Sequence, residues 1–159
     1  MNDDLKNIFR ENLFECGKHH QKIQVARQHL TDQMPLTKEK YLNINDIDMS
    51  FIDQLIFRFS KLQDSMGEKI FPLILRMAGE EVKKKTFIDI LNRMEELDIV
   101  DKNEWLQLRE IRNQIAHEYS SNVKEVVNSI VSIFNTSQQL MNIYITVIRF
   151  CEQRFGIQM

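Results

Sequence analysis

The chain has 159 residues, a length typical of one domain, and 43% of them are apolar, which is enough for a sizeable core. The formal net charge of −2 argues against indiscriminate nucleic-acid binding, which depends on basic surface, but allows a local basic groove. With only four glycines and two prolines, the composition disfavours a turn-rich β fold and favours long helices.

Residues 3–30 form the first predicted helix, because apolar residues recur on one face with charges opposite. Its acidic start lacks the basic region of a secretory signal, and no apolar run of the chain approaches about 18 residues, so we expect a cytoplasmic protein without a membrane span. Cys16 and Cys151 fit no metal-ligand spacing and are interpreted as reduced core residues. Adjacent His19 and His20 point apart on a helix, so His20 is interpreted as a histidine at the core edge.

Residues 31–49 form the longest predicted connection without helix, because a proline and polar runs break the helical period. A second helix is predicted to begin near Ser50, a plausible N-cap. Phe57 lies off its apolar stripe and is a candidate for a second interface. Gly67 and Pro72 should bend or interrupt this helix.

A helix end is predicted at Gly79, and a short helix over 87–97 follows it. Thr86 and Asp89 resemble the capping box that opens this short helix. The charged run 80–85, between Gly79 and this short helix, is interpreted as solvated surface, with a basic groove edge as the alternative.

Two further helices complete the chain. Asn103 is the expected cap of a helix over 104–118, and Asn122 opens a helix over 122–154. The apolar arc of the last helix is wider than one seam needs, which indicates a central helix or a subunit interface. The predicted fold is therefore all-α: one domain, residues 1–159, built as an antiparallel helical bundle of four long helical segments plus a short helix.

The segment WLQLREIRNQIAHEY, residues 105–119, departs from ordinary amphipathic helix. On a helix, Arg109, Asn113 and His117 form one line at i, i+4 spacing, and Arg112 lies beside it among apolar neighbours. A guanidinium in that position is costly unless it has a partner or a target. The segment therefore presents two arginines, an amide and an imidazole along one edge of a helix.

Together with Tyr119, these residues fit R-N-x3-H-x-Y, which resembles the R-x4-H-x-Y motif of the HEPN superfamily, in its HepT-like ribonuclease toxin branch. A looser likeness in helix order covers the chain from the second predicted helix onwards. The resemblance implies a homodimer in which two motif helices face each other across one groove. It makes His117 the catalytic acid/base and Arg112 the catalytic phosphate clamp. Asn113 would orient the substrate or the imidazole, and Arg109 would add groove charge.

The activity implied by the resemblance is endoribonuclease cleavage of RNA, with transfer RNA as the expected substrate. Transesterification needs a base, an acid and positive donors for the transition state, which histidine and arginine supply without a metal or a cofactor. The resemblance also implies a partner, a small MntA-like nucleotidyltransferase antitoxin of a type VII-like toxin–antitoxin pair. That partner would add AMP to Tyr119, placing bulk and negative charge where the RNA phosphate must bind.

Each motif residue also has a structural interpretation. Arg112 could pair with a carboxylate of another helix, His117 could be favoured by the helix dipole, and Tyr119 could be an aromatic at the core edge. The alternative function is a non-catalytic HEPN substrate-binding or accessory subunit of a nucleotidyltransferase, which the mildly acidic net charge favours. A purely structural helical adaptor is a third class, but it gives no reason for the motif.

Overall fold

The chain is all-helical in the part that the structure describes. This computed structural model describes residues 3–117 and 122–158, without the side chains of Ala116 and His117, and these ranges contain no β-strand. None of the helices in these ranges combines the length and the apolarity needed to cross a membrane. In chain order they are α1 (Asp3–Leu30), α2 (Lys38–Leu42), α3 (Asp46–Ser65), α4 (Phe71–Met77), α5 (Phe87–Glu96), α6 (Lys102–His117) and α7 (Val123–Phe155).

The core lies among α1, α3, α7 and the helices packed against them. α1 packs along α3, and α7 contacts α1, α2, α3 and α6. Each large apolar side chain that is buried there contributes roughly 1.5–3 kcal/mol relative to exposure. The largest fully buried side chains include Trp105, Phe9, Phe59, Phe71, Leu13 and Ile23. Part of the apolar arc of α7 is therefore covered by its contacts with these four helices.

The prediction of a helix-free connection over 31–49 is wrong, because this stretch contains α2 and the first turn of α3. α3 begins at Asp46, and its N-cap is Asn45, whose side chain accepts a hydrogen bond from the Asp48 backbone N–H at 2.8 Å. The predicted cap, Ser50, lies inside the helix and donates its hydroxyl proton to a carbonyl of the preceding turn at 2.6 Å. An Asx cap five residues earlier therefore sets this helix start.

Three other predicted helix ends are confirmed. Thr86 and Asp89 form both hydrogen bonds of a capping box at the start of α5. The Asn122 side chain accepts from backbone N–H groups in the first turn of α7. Gly79 follows the end of α4 with φ of +83°, a left-handed conformation that glycine adopts without a Cβ penalty.

The irregularity predicted at Gly67 and Pro72 is a change of helix type. A π-helical turn, Met66–Ile70, joins α3 directly to α4. Pro72 has no N–H to donate to the carbonyl one turn back, so regular α-helical bonding cannot continue through it. Single π-helical turns of this kind occur frequently at functional sites.

His20 packs at the core edge, as the sequence predicts. Its ring stacks on Tyr144 with the centroids 4.7 Å apart and the planes inclined by 30°. Burial disfavours the imidazolium and lowers the pKa of His20 from its ordinary value.

We therefore expect stability to fall on mild acidification. The unfolded histidine titrates near 6.5, above the folded pKa of His20, so the unfolded state takes up protons first as the pH falls. This contribution is fully present above pH 6.5 and is lost as the pH falls from there towards the lowered folded pKa. Urea unfolding at about pH 7.5 and about pH 5.5 measures it. His20→Phe keeps a ring on Tyr144 and should lose less stability between the two values than the wild type; an equal loss would contradict the assignment.

Candidate functional site

The motif helix α6 begins two residues before the predicted start. The Asp101 carboxylate accepts a hydrogen bond from the Glu104 backbone N–H at 2.9 Å, and the Asp101 carbonyl accepts one from the Trp105 N–H. The predicted cap, Asn103, is wrong, because it lies within the first turn of the helix. Asp101 therefore fixes where α6 starts.

The inner face of α6 is anchored by Trp105, which is only 1% exposed. Its ring packs against Phe71 with the centroids 4.8 Å apart. A Cβ on Gly67 would lie 3.2 Å from Trp105 Cζ2, so the absence of a side chain there lets the π-helical turn approach the indole closely. Leu108 and Ile115 are buried along the same face. This packing fixes which edge of α6 points outwards.

That outward edge borders a pocket of about 410 Å³ between α3 and α6, which we call the motif pocket. Arg109, Arg112 and Asn113, the three predicted site residues whose side chains the structure describes, all line it. The remaining lining comes from α3, the π-helical turn, α5 and the indole: Gln63, Asp64, Gly67, Glu68, Phe87 and Trp105. The pocket thus gathers two guanidiniums and two carboxylates, so its formal charges balance.

Arg112 is paired with a carboxylate, which is the structural interpretation raised for it. Its Nε and Nη2 donate to the two oxygens of Asp64 at 3.0 and 2.9 Å. These hydrogen bonds raise the pKa of the Arg112 guanidinium. Both side chains remain about 30% exposed, at 28% and 32%, so solvent still reaches the pair. The bidentate contact uses one edge of the guanidinium and leaves Nη1 on the other.

Arg109 and Asn113 have no comparable restraint among the residues that the structure describes. The Arg109 guanidinium lies over the Phe87 ring, 4.5 Å from its centroid, and within residues 3–117 and 122–158 no carboxylate oxygen forms a salt bridge with it. Asn113 is exposed at the pocket rim. These two residues therefore keep hydrogen-bonding groups available to a ligand.

Gln63 is a pocket residue that sequence reasoning missed. It is 3% exposed, and its amide Nε2 has no hydrogen-bond partner among the described residues. An unsatisfied buried donor is costly, roughly 1–3 kcal/mol. The signal was available, because Gln63 follows Phe59 by four residues and so shares the buried face of α3.

Two of the predicted residues lie outside this description. α6 ends at His117, but the His117 side chain and the whole of Tyr119 lie outside the described residues. The roles assigned to them stay predictions. Across the described side chains, no group of three or more His, Cys, Asp or Glu residues could hold a metal ion.

The chain was compared with protein-family models, with curated proteins and with solved structures. None of these three comparisons found a match.

Proposed function

We propose that this protein is a metal-independent endoribonuclease toxin of the HepT-like type, cytoplasmic, paired with an MntA-like nucleotidyltransferase antitoxin. The observation that carries the proposal is the motif pocket. Arg109, Arg112 and Asn113 from one helix edge border one cavity, and all three lie four to eight residues before His117 on the same helix. Such a set suits recognition of a phosphodiester, because guanidinium and amide donors bind phosphate oxygens.

The reaction that these residues suit is transesterification of RNA, here assigned to transfer RNA. His117 takes the proton from a 2′-hydroxyl, whose oxygen attacks the adjacent phosphorus. A protonated imidazole then gives a proton to the leaving 5′-oxygen as the P–O bond breaks. Because histidine titrates near neutral pH, both states are accessible. Charge on the phosphorane-like transition state is stabilised by arginine.

Arg112 fits this role even though it is paired. Asp64 holds the Nε and Nη2 edge and so fixes the direction of the guanidinium plane. The Nη1 edge remains for a phosphate oxygen. Fixing a donor in advance avoids reorganisation when charge develops, which is how arginine clamps contribute to catalysis.

The proposal includes an antiparallel helical bundle that forms a homodimer, because one chain supplies only one His117. Two-fold symmetry would bring two copies of His117 and two of Arg112 to one groove. Apolar side chains such as Ile145 on α7, 36% exposed, are available to such contacts. We expect sedimentation velocity at micromolar concentration to give the mass of a dimer. A monomer under these conditions would rule out the shared site.

The direct test is incubation of the purified protein with total cellular RNA in the presence of a chelator. We expect cleavage to persist in the chelator and to be slowed by about 10²–10⁴-fold in His117→Ala. A strict requirement for magnesium would contradict the proposed chemistry.

Tyr119 is the proposed site of control by the antitoxin. Co-expression with the cognate nucleotidyltransferase and ATP should add the mass of one AMP per chain and abolish RNA cleavage, because the added phosphate repels the substrate backbone. Tyr119→Phe should remain folded and take up no AMP. Intact-mass spectrometry measures both proteins. Addition to Tyr119→Phe at the wild-type level would overturn the assignment, and Tyr41, a half-buried tyrosine of α2, provides a matched control as Tyr41→Phe.

A second candidate is a non-catalytic substrate-binding or accessory subunit of a nucleotidyltransferase. Two observations favour it. Arg112 is already paired with Asp64, and the formal charges of the residues lining the motif pocket balance. On this alternative, the purified protein would leave RNA intact but would form a stable complex with the nucleotidyltransferase and change its affinity for substrate. Cleavage by the wild type that is lost in His117→Ala would exclude the alternative.

A further inference from the structure

A second pocket lies between α1 and α3, whereas the motif pocket lies between α3 and α6. It has a volume of about 380 Å³, and we call it the basic pocket. Four cationic side chains, one carboxylate, an imidazole and a hydroxyl line it: Lys18, Arg58, Lys61, Lys69, Glu15, His19 and Ser65. The whole chain has a net charge of −2, so this concentration of positive charge is a local feature.

The four cations of the basic pocket outnumber its one carboxylate, Glu15. In the part of the chain that the structure describes, none of the four takes part in a salt bridge. Three of them lie over aromatic rings. Lys18 Nζ is 4.7 Å from the centroid of Phe14, and Arg58 Cζ and Lys61 Nζ are 5.4 and 5.7 Å from that of Phe57. Such contacts orient the cations without cancelling their charge.

His19 fixes the direction of Arg58. Arg58 Nη1 donates to His19 Nδ1 at 3.0 Å, and because a guanidinium has no acceptor, Nδ1 must carry the lone pair of a neutral imidazole. Burial, and next the charge of Arg58, lower the pKa of His19. The histidine is therefore a neutral acceptor that positions the arginine at the pocket.

The two rings beside the basic pocket are open to solvent. Phe14 is 59% exposed and Phe57 is 52% exposed. Exposed aromatic rings next to a basic groove are the arrangement on which bases of single-stranded nucleic acid stack while their phosphates contact the cations. A free phosphate or another simple anion has no aromatic base that could stack on these rings.

We propose that the basic pocket, together with Phe14 and Phe57, is a binding site for single-stranded RNA that is separate from the motif pocket. The two sites draw on the same stretch of chain: Lys61 belongs to one and Asp64, one turn later, to the other. An RNA strand that crosses α3 therefore reaches from the basic pocket to the motif pocket. The identification of RNA as the natural ligand rests on the proposed function, but binding at this site does not require that the protein cleaves RNA.

The test is fluorescence anisotropy of a labelled uridine oligonucleotide, with the full chain and its variants in chelator. The double variant Lys61→Glu, Lys69→Glu should lower the affinity by about 10-fold or more at low salt. Removing two phosphate contacts should also reduce the slope of log affinity against log salt by about 1.4, since each contact to a single strand contributes about 0.7. The matched control is Lys38→Glu, Arg149→Glu, which makes the same change of charge at exposed positions outside both pockets and should stay within about 2-fold of the wild type.

A third variant tests the aromatic part. Phe57→Leu removes an exposed ring and should weaken RNA binding by about 5-fold or more, because stacking on a base is lost. Far-UV circular dichroism checks that every variant folds. If Phe57→Leu changes the sedimentation coefficient and leaves RNA affinity unchanged, Phe57 belongs to a protein interface and the stacking role is wrong.

The outcomes separate this inference from the proposed function. A wild type that binds RNA through the basic pocket without cutting it supports the site and overturns the nuclease. A wild type that cuts RNA, with a Lys61→Glu, Lys69→Glu variant that binds and cuts equally well, overturns the site alone. The inference also fails if the wild type binds no oligonucleotide at low salt, or binds double-stranded DNA or phosphatidylserine vesicles more tightly than the single strand.

Discussion

Replacing His117 by alanine is expected to lower the rate of RNA cleavage by about 10²–10⁴-fold, the range that a general acid or base contributes. The loss should appear in kcat, because the imidazole takes part in proton transfer in the transition state and adds little to ground-state binding. Single-turnover cleavage of a labelled RNA measures the rate, and anisotropy measures the binding. A variant that cuts at the wild-type rate would remove His117 from the chemistry.

The control for this experiment comes from the same helix. Gln114 is exposed on α6, and it does not line the motif pocket. Gln114→Ala should therefore cut RNA at close to the wild-type rate. A comparable loss in this variant would show that α6 had been disturbed, and the effect of His117→Ala could then no longer be assigned to proton transfer.

Arg112 and Asp64 allow the phosphate role to be separated from the structural role. Arg112→Ala should abolish cleavage and leave Asp64 without its partner, at a modest cost in stability because the pair is about 30% exposed. Asp64→Asn keeps a hydrogen-bond acceptor for the guanidinium and removes the competing negative charge. If Arg112 contacts phosphate, RNA should bind to Asp64→Asn at least as tightly as to the wild type. Weaker binding would mean that the ion pair itself is needed.

Replacing Trp105 by alanine is expected to destabilise the protein by about 3–5 kcal/mol, the usual cost of truncating a fully buried large aromatic residue. The indole is 1% exposed and packs between Phe71 and the π-helical turn at Gly67. The melting temperature should fall by roughly 6–20 °C, at about 2–4 °C per kcal/mol for a domain of this size. Thermal unfolding followed by circular dichroism measures the change.

A second variant distinguishes cavity formation from loss of the pocket wall. Trp105→Phe keeps a ring against Phe71 but leaves a smaller cavity, so it should cost less than Trp105→Ala. Both variants shorten the wall of the motif pocket and should weaken RNA cleavage beyond their effect on stability, measured well below the melting temperature. A free energy of unfolding within about 1 kcal/mol of the wild type for Trp105→Ala would show that α6 is not anchored as described.

Local chemistry explains why several helix ends were predictable from the sequence. Thr86 with Asp89 and Asn122 cap helices through side chains that reach backbone N–H groups two or three residues away. Gly79 supplies a left-handed residue at a helix end. Where two capping residues lay close together, the prediction chose the wrong one, as with Ser50 for Asn45 and Asn103 for Asp101. Capping propensity alone does not rank neighbouring candidates, because the choice depends on where the apolar face must meet its partner helix.

The sequence by itself determined that the chain is helical, that α6 carries Arg109, Arg112 and Asn113 along one edge, and that Arg112 needs an anionic partner or target. These conclusions follow from the period of a single helix and from the cost of burying charge. Only the tertiary structure decided that the partner is Asp64, 48 residues earlier in the chain. It also decided that buried Gln63 borders the motif pocket, and that basic residues of α1 and α3 meet in a second pocket. The physical reason is that helical periodicity fixes the angle of each side chain about its own axis, whereas the rotation of one helix against another is set by the packing of both.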